Sequence, residues 1–140
     1  MKKFLKIILI SSLIGTMLAA MFFFNIKDKA EAKNKTILYA FQVGVFKSLE
    51  NADNFKTRFE ASKIYKDNEY YRVFVGVTIN NKEMLESIFN NLGYDYYIKE
   101  LDKIENVEEI LKYDELLKES NEENKMIIIK NMLESFSYGL

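Results

Sequence analysis

The chain has 140 residues, of which 49% are hydrophobic and 29% are charged, and its formal net charge is −1. That length suits one domain with some additional chain, and the composition is too apolar for a disordered protein. Cys and His are both absent, which excludes thiol nucleophiles, histidine general bases and the usual zinc sites, and with them most familiar enzyme classes. We predict no enzyme activity, metal or cofactor.

Charge is distributed unevenly along the chain. Residues 1–35 carry seven basic and two acidic side chains, residues 36–101 carry eight and nine, and residues 102–140 carry five and ten. Beyond the N-terminus no segment is basic enough to bind a polyanion by neutralising phosphates, so we expect no nucleic-acid partner. The same charge balance argues against an RNA-binding domain.

The N-terminus predicts a membrane anchor. Lys2, Lys3 and Lys6 precede eighteen uncharged residues, 7–24, which as a helix would be about 27 Å long and would span a hydrocarbon core. We expect residues 1–26 to be a cytoplasmic tip and transmembrane helix, with residues 4–24 in the cell membrane, and residues 27–36 to be a short linker to an extracytoplasmic domain. A signal peptide cleaved near Ala30–Ala32 is the alternative, and it also exports the domain.

Beyond the linker the chain contains two similar segments, in which Gly44 of the first aligns with Gly76 of the second. In each segment a Gly-Val pair ends a strand, and Ser48 or Asn80, three positions after the Val, begins a helix. Apolar stripes predict the two helices, one from Leu49, Ala52, Phe55 and Phe59, the other from Met84, Leu85, Ile88, Phe89 and Leu92 with Gly93 at its end. Each segment is therefore a strand, a helix and a returning strand.

An Asp67-Asn68 turn joins the two units and predicts a β-hairpin between the second and third strands. Two such units predict an α+β, ferredoxin-like βαββαβ domain over residues 37–102, with a four-stranded antiparallel sheet and both helices on one face. The first and third strands are the central pair.

Side-chain alternation along the central strands assigns residues to the two faces of the sheet. One set is expected to face the helices: Phe41, Val43, Val45, Tyr71, Val73 and Val75. The other set places Gln42, Tyr70, Arg72 and Phe74 on an open face, around bare backbone at Gly44 and Gly76. A guanidinium, an amide and aromatic rings on one surface suit a sugar ligand. Polar side chains on the solvated side of a sheet also occur without any function, which is the alternative.

Three stretches, FQVGVF, NADNFKTRFEA and YYRVFVGVTINNKEMLESIFNNLGYDYYI, resemble the SPOR domain family, over about residues 36–101. The family's motifs appear as Gln-x-Gly-x-Phe, Tyr-x-Arg-Val-x-Val-Gly and Leu-Gly-Tyr. The resemblance implies binding to peptidoglycan glycan strands at bacterial division or sporulation septa, especially to strands without stem peptides. It implies ligand contacts by Gln42, Tyr70 and Arg72. Val45 departs from the pattern, because the family often has Ser there.

Residues 103–140 lie outside the resemblance and are predicted to form a helical hairpin, packed back on the domain or free for a partner. Its apolar stripes are Ile104, Val107, Ile110, Leu111 and Leu117, then Met126, Ile129, Met132, Leu133 and Phe136, with Asn121 as the cap between them. We expect its acidic residues to form a solvated face.

Two functions follow from these observations. The first is a membrane-anchored, extracytoplasmic module that binds peptidoglycan glycan strands through Gln42, Tyr70, Arg72 and Phe74. The second is an interaction subunit of a division or sporulation complex, which acts through its C-terminal helices without binding glycan.

Overall fold

The computed structural model of the protein describes residues 36–102 and 104–138. The chain divides into two units, 1–35 and 36–140, and the described residues belong to the second. The predicted tip and anchor, and residues 27–35 of the predicted linker, lie outside the described residues. Within the described ranges, no helix is both long enough and apolar enough to cross a membrane.

The α+β class and the four-stranded antiparallel sheet are confirmed. Strands β1 to β4 pair in the order β2-β3-β1-β4, so that β1 and β3 are central, and β5 and β6 form a second, two-stranded sheet. The elements, in chain order, are β1 Leu38–Phe46, α1 Leu49–Lys56, β2 Lys63–Asp67, β3 Tyr70–Thr78, α2 Lys82–Asn91, β4 Tyr97–Leu101, β5 Ile104–Glu105, α3 Val107–Glu119, α4 Glu122–Ser135 and β6 Ser137–Tyr138.

Most helix ends lie where the sequence places them. Ser48 precedes α1, Gly93 follows α2 with a left-handed φ of 71°, and the Asn121 side chain accepts a hydrogen bond of 3.2 Å from the Asn124 N–H at the start of α4. Two predictions were wrong by a short distance. Helix α2 is capped by Asn81 rather than by Asn80, and α1 ends before Phe59.

Two β-bulges interrupt the pairing of β1 with β3. Phe41 lies opposite Gly76, Gln42 opposite Phe74, and Gly44 opposite Val73, so one residue on each strand has no partner in the register. An extra residue reverses the faces to which the following side chains point. The strict alternation assumed from the sequence therefore fails at the centre of the sheet.

The face that packs against α1 and α2, here called the helix face, contains both glycines, contrary to the prediction. A Cβ atom at Gly44 would lie 3.0 Å from Phe55 Cε1 of α1, and one at Gly76 would lie 2.6 Å from Phe89 Cζ of α2. The rings of Phe41 and Phe89 meet edge to face at 5.1 Å on the same side. The glycines therefore make room for helix rings, and they do not leave bare backbone on an open face.

The opposite face, here called the second face, carries Gln42, Arg72 and Phe74, and part of it is covered. The C-terminal hairpin, formed by α3 and α4, packs against β3 on this side. Phe136, at the end of α4, contacts the rings of Tyr65 and Phe74 at centroid distances of 4.9 and 6.5 Å. The predicted hairpin is therefore present and packed back on the domain.

The hairpin contributes to the same buried core as the sheet. Its fully buried members are Ile110, Leu117, Ile129, Met132, Leu133 and Phe136, which join Leu38, Ala40, Phe74, Val77 and Leu101 of the sheet. Short strands β5 and β6, just before and just after the hairpin, pair with each other and bring its two ends together.

A buried carboxylate fixes the hairpin to the turn between β3 and α2. Asp114 of α3 is fully buried and accepts hydrogen bonds from the Thr78 hydroxyl at 2.6 Å and from the N–H groups of Ile79 and Asn80 at 2.9 and 2.8 Å. The Asn81 side-chain amide donates both to this carboxylate, at 3.1 Å, and to the Asp114 carbonyl, at 2.7 Å. The charge is thus buried together with its hydrogen-bond partners, which is the condition for tolerating it.

Polar side chains of β2 bind the other end of the hairpin. Lys63 donates to the carbonyls of Glu134 and Phe136 at 2.9 and 3.1 Å, and the Tyr65 hydroxyl donates to the carbonyls of Leu133 and Phe136. These acceptors include the last carbonyls of α4, which have no partner inside the helix. Burial, with a smaller contribution from the charge of Glu134, raises the pKa of Tyr65 well above its usual range.

Candidate functional site

The four residues predicted to bind a ligand lie on the second face, but one of them is not accessible. Gln42 pairs with Phe74, and Arg72 with Tyr65, so these side chains project to the same side. Phe74 is only 2% exposed because Phe136 covers it. The prediction that Phe74 contacts a ligand is therefore corrected: it is a core residue.

Gln42 and Arg72 are hydrogen-bonded to each other. The Arg72 guanidinium donates through Nη1 to Gln42 Oε1 at 3.1 Å and through Nε to Asp67 Oδ2 at 2.6 Å. The Nζ atom of Lys99 lies 3.5 Å from the same oxygen, Asp67 Oδ2. We call these four residues the polar cluster; each of the four strands contributes one of them.

The polar cluster is partly shielded from water and contains three charged side chains. The side chains of Asp67, Arg72 and Lys99 are 14%, 24% and 26% exposed, so their mutual attraction is less screened than at an open surface. The hydrogen bond from Arg72 is the main cause that holds the pKa of Asp67 below its usual range. The charged groups of the cluster are thus two cations around one carboxylate.

Sequence reasoning missed Asp67 as the partner of Arg72, and it missed Lys99 as a second cation beside Asp67. Asp67 was assigned only to the turn, but it pairs with Tyr70, which makes it the diagonal neighbour of Arg72. Diagonal cross-strand neighbours are within reach of long side chains, so the predicted β-hairpin contained this signal. Lys99 reaches Asp67 from β4, across the intervening strands, and no local pattern indicates such a contact.

Two tyrosines flank the polar cluster and are open to solvent. Tyr70 is 38% exposed, and Tyr97, which pairs with Gln42, is 67% exposed. Tyr97 was not predicted as a site residue, because its segment was interpreted only as a returning strand. Val45 pairs with Arg72 and is 42% exposed, so it lies on the second face and not on the helix face as predicted.

A shallow groove adjoins the cluster on the β4 side, where the pairing of β4 with β1 ends at Gln42. Its volume is about 250 Å³, and it is lined by Gln42, Val43, Gly44, Asp95, Tyr96 and Tyr97. It is a solvent-open depression beside Gln42.

Comparisons with known proteins give one structural likeness. No family model matches the chain, and no curated protein matches it. Among solved structures it is similar to the solution structure of the peptidoglycan binding domain of the B. subtilis cell wall lytic enzyme CwlC, with 27% identity and a TM-score of 0.40, over 46% of this chain and 90% of that chain. At that TM-score the likeness assigns no ligand to this chain.

The geometry determines what the site can do chemically. The Arg72 guanidinium donates a hydrogen bond to the amide oxygen of Gln42. The amide nitrogen of Gln42 is therefore the group that can donate to a ligand. Asp67 orients the guanidinium from behind, so the donors are held in place before any ligand arrives. Exposed tyrosine rings on either side add flat apolar surface. The site therefore suits a ligand that combines oxygen acceptors with flat apolar faces.

Proposed function

We propose that the protein is a binding module for the glycan strands of peptidoglycan. The observation that carries the proposal is the hydrogen-bonded Gln42–Arg72 pair with exposed Tyr70 and Tyr97 beside it. Pyranose rings have apolar faces that pack on aromatic rings, and their hydroxyl and acetamido oxygens accept hydrogen bonds from amide and guanidinium groups. The sequence resemblance to SPOR domains supports the same ligand and adds a preference for strands without stem peptides.

The module binds glycan and does not cleave it. A glycosidase needs a carboxylic acid with a raised pKa on one side of the scissile bond and a second carboxyl group on the other. The carboxylate of the polar cluster, Asp67, has a lowered pKa and is bound by Arg72 and Lys99. It is therefore a positioning residue for Arg72.

The proposal includes a single membrane anchor at residues 4–24, with the N-terminus in the cytoplasm and the domain outside the cell membrane. The apolar run and the three preceding lysines support this arrangement. A site at division or sporulation septa is the location that the family resemblance implies. Protease treatment of spheroplasts tests the topology, since the domain should be degraded from outside while a cytoplasmic marker survives.

The second candidate, an interaction subunit acting through its C-terminal helices, is less well supported. The larger apolar residues of the hairpin are buried against the sheet, and its exposed large apolar side chains are Leu116 and Ile127. If this candidate is correct, the double change Leu116→Ala and Ile127→Ala abolishes function while Gln42→Ala with Arg72→Ala leaves it intact.

Co-sedimentation with purified sacculi tests the glycan proposal. A fragment of residues 33–140 contains the whole 36–140 unit, which has its own core. We expect it to pellet with sacculi, and more of it with amidase-treated sacculi, in which stem peptides have been removed. If it stays in the supernatant with both, the glycan proposal is wrong.

Replacing Arg72 is the sharpest single-residue test of the same proposal. Arg72→Ala removes a charged donor and releases Gln42, and a charge-assisted hydrogen bond contributes about 1.5–3 kcal/mol, so the amount pelleted should fall at least a few-fold. Arg58→Ala is the matched control: Arg58 is exposed and lies over the Phe55 ring of α1, on the other side of the sheet. Equal binding by the two variants would contradict the assignment of Arg72.

A further inference from the structure

The C-terminal hairpin divides the second face into a covered part and an open part. Phe74 is covered by Phe136, and Ala40 and Val77, which pair with each other next to the bulged region, are fully buried in the core that contains the hairpin. Arg72, two residues from Phe74, remains partly exposed. The boundary therefore crosses β3 between these two residues.

The hairpin is a fixed part of this face. Asp114 binds the β3–α2 turn through four donors, and Lys63 and Tyr65 bind the last carbonyls of α4. Opening the hairpin would expose a buried carboxylate together with the hairpin's fully buried apolar side chains, at a cost comparable to unfolding the unit. The covered part is thus closed to a ligand while the hairpin is docked.

The open part is a strip that runs across the strands. Asp67, Arg72, Gln42 and Tyr97 stand on β2, β3, β1 and β4, which is the spatial order of the sheet. Four strands at about 4.8 Å spacing give the strip a length of roughly 14 Å. Beyond Gln42 the strip continues into the groove beside Tyr97 and Asp95.

We propose that the glycan crosses the strands along this strip, with the C-terminal hairpin as a side wall, and that Tyr97 and Asp95 are ligand-contacting residues at its β4 end. This inference depends on the proposed function. The ring of Tyr97 lies next to the Gln42 donor and supplies a face for one sugar, while the carboxylate of Asp95 accepts hydrogen bonds from hydroxyl groups in the groove. The ligand is then a short oligosaccharide segment whose path is set by the wall.

Titration of the labelled 33–140 fragment with size-fractionated glycans from amidase-treated peptidoglycan tests this path. Amide signals of Gln42, Arg72, Asp95 and Tyr97 should shift on binding, and those of Ile127, on the hairpin surface, should not. Affinity should rise with chain length until the strip is filled and then remain constant. Tyr97→Ala should weaken binding roughly three- to ten-fold, as expected for one aromatic contact, whereas Tyr97→Phe keeps the ring and should bind nearly as well as the wild type.

The control is Ile127→Ala, which removes an exposed apolar side chain from the hairpin and should leave binding unchanged. If the wild type binds glycan but Tyr97→Ala binds equally well, or if the shifts extend over Ile127, the proposed path is wrong and the glycan-binding function stands. If the wild type binds no glycan at any length, both the function and the path are wrong.

Discussion

At the scale of single residues, Arg72 and Asp67 explain why a charged side chain in a central strand is compatible with a stable sheet. Asp67 neutralises part of the guanidinium charge, and Gln42 accepts a second hydrogen bond from it. The arginine is thereby held in one orientation, and Gln42 is fixed with its amide nitrogen directed away from Arg72. The ligand donors are therefore positioned by residues whose own role is structural.

Stability should fall in acid partly through Asp67. Its pKa is below the usual value in the folded protein and returns to about 3.9 on unfolding, so the unfolded chain binds the proton first as pH falls. The stability from this carboxylate is present above about pH 4 and is lost as pH falls through the folded-state pKa. Urea unfolding at pH 7, 4 and 3 should show a smaller acid loss for Asp67→Asn than for the wild type.

The control for Asp67→Asn is Glu69→Gln, which removes an exposed carboxylate from the same turn and should change the free energy of unfolding at pH 7 by less than roughly 0.5 kcal/mol. The same acid loss in Asp67→Asn as in the wild type would show that the Arg72 contact does not contribute to stability.

At the scale of elements, the bulged β1–β3 pair and the C-terminal hairpin shape the site together. The bulges direct Gly44 and Gly76 toward α1 and α2, while Gln42 and Phe74 point to the other side. The hairpin then covers Phe74 and leaves Gln42 open. One face of the sheet thus provides both a core and a candidate binding surface.

The bond network of Asp114 should be essential for hairpin docking. Asp114→Ala leaves the buried Thr78 hydroxyl and the partly buried N–H groups of Ile79 and Asn80 without this acceptor. A buried unpaired group costs about 1–3 kcal/mol. We expect at least about 2 kcal/mol of destabilisation and faster hydrogen exchange at the Ile79 and Asn80 amides. The nearby Glu115→Gln, at an exposed position, should alter neither. Unchanged amide exchange in Asp114→Ala would rule out this anchoring role.

Ile127, in α4, and Phe136, at its C-terminal cap, should differ sharply in their contribution to the free energy of unfolding. Phe136 is fully buried and Ile127 is 58% exposed. Truncating a buried phenylalanine opens a cavity and costs about 3–5 kcal/mol, whereas an exposed apolar residue contributes about 0.5 kcal/mol or less. Urea denaturation of Phe136→Ala and Ile127→Ala measures both, and similar values would mean that the hairpin does not pack on the sheet in solution.

At the scale of the whole molecule, the sheet and the hairpin share one core, although the family resemblance ends near residue 101. Buried residues from β1, β3, β4, α3 and α4 belong to a single cluster. Residues 37–102 therefore depend on the hairpin to cover apolar side chains of their second face.

Removing the hairpin should impair the domain. A 33–102 fragment exposes Phe74, Val77 and Leu101, so we expect aggregation or a strongly lowered Tm, with binding of a hydrophobic dye, relative to the 33–140 fragment. Light scattering and thermal unfolding make the comparison. A monomeric 33–102 fragment with an unchanged Tm would show that the hairpin is a separable element.

The helices and the four strands of the main sheet, with their order along the chain, follow from the sequence alone, whereas β5 and β6 were not predicted. Hydrophobic periodicity, the Asp67-Asn68 turn, Gly93 and Asn121 were sufficient for the four-stranded antiparallel sheet and for the hairpin helices, because each of these signals is local. Periodicity also put Gln42, Tyr70 and Arg72 on one face. This holds because side chains alternate regularly along β3 from Tyr70 to Phe74, and Gln42 pairs with Phe74. Whether they bind glycan remains a prediction.

Which part of that face is open to solvent depends on tertiary packing. Gly44, Gly76 and Val45 were assigned to the wrong faces because a bulge depends on the pairing of two strands and leaves little trace in either one. Phe74 was predicted to contact a ligand because nothing in its own strand indicates that Phe136, which is far away in the chain, packs against it. Asp114 was predicted to belong to the solvated acidic face of the hairpin. It is buried instead, because it binds the donors of a turn more than thirty residues away.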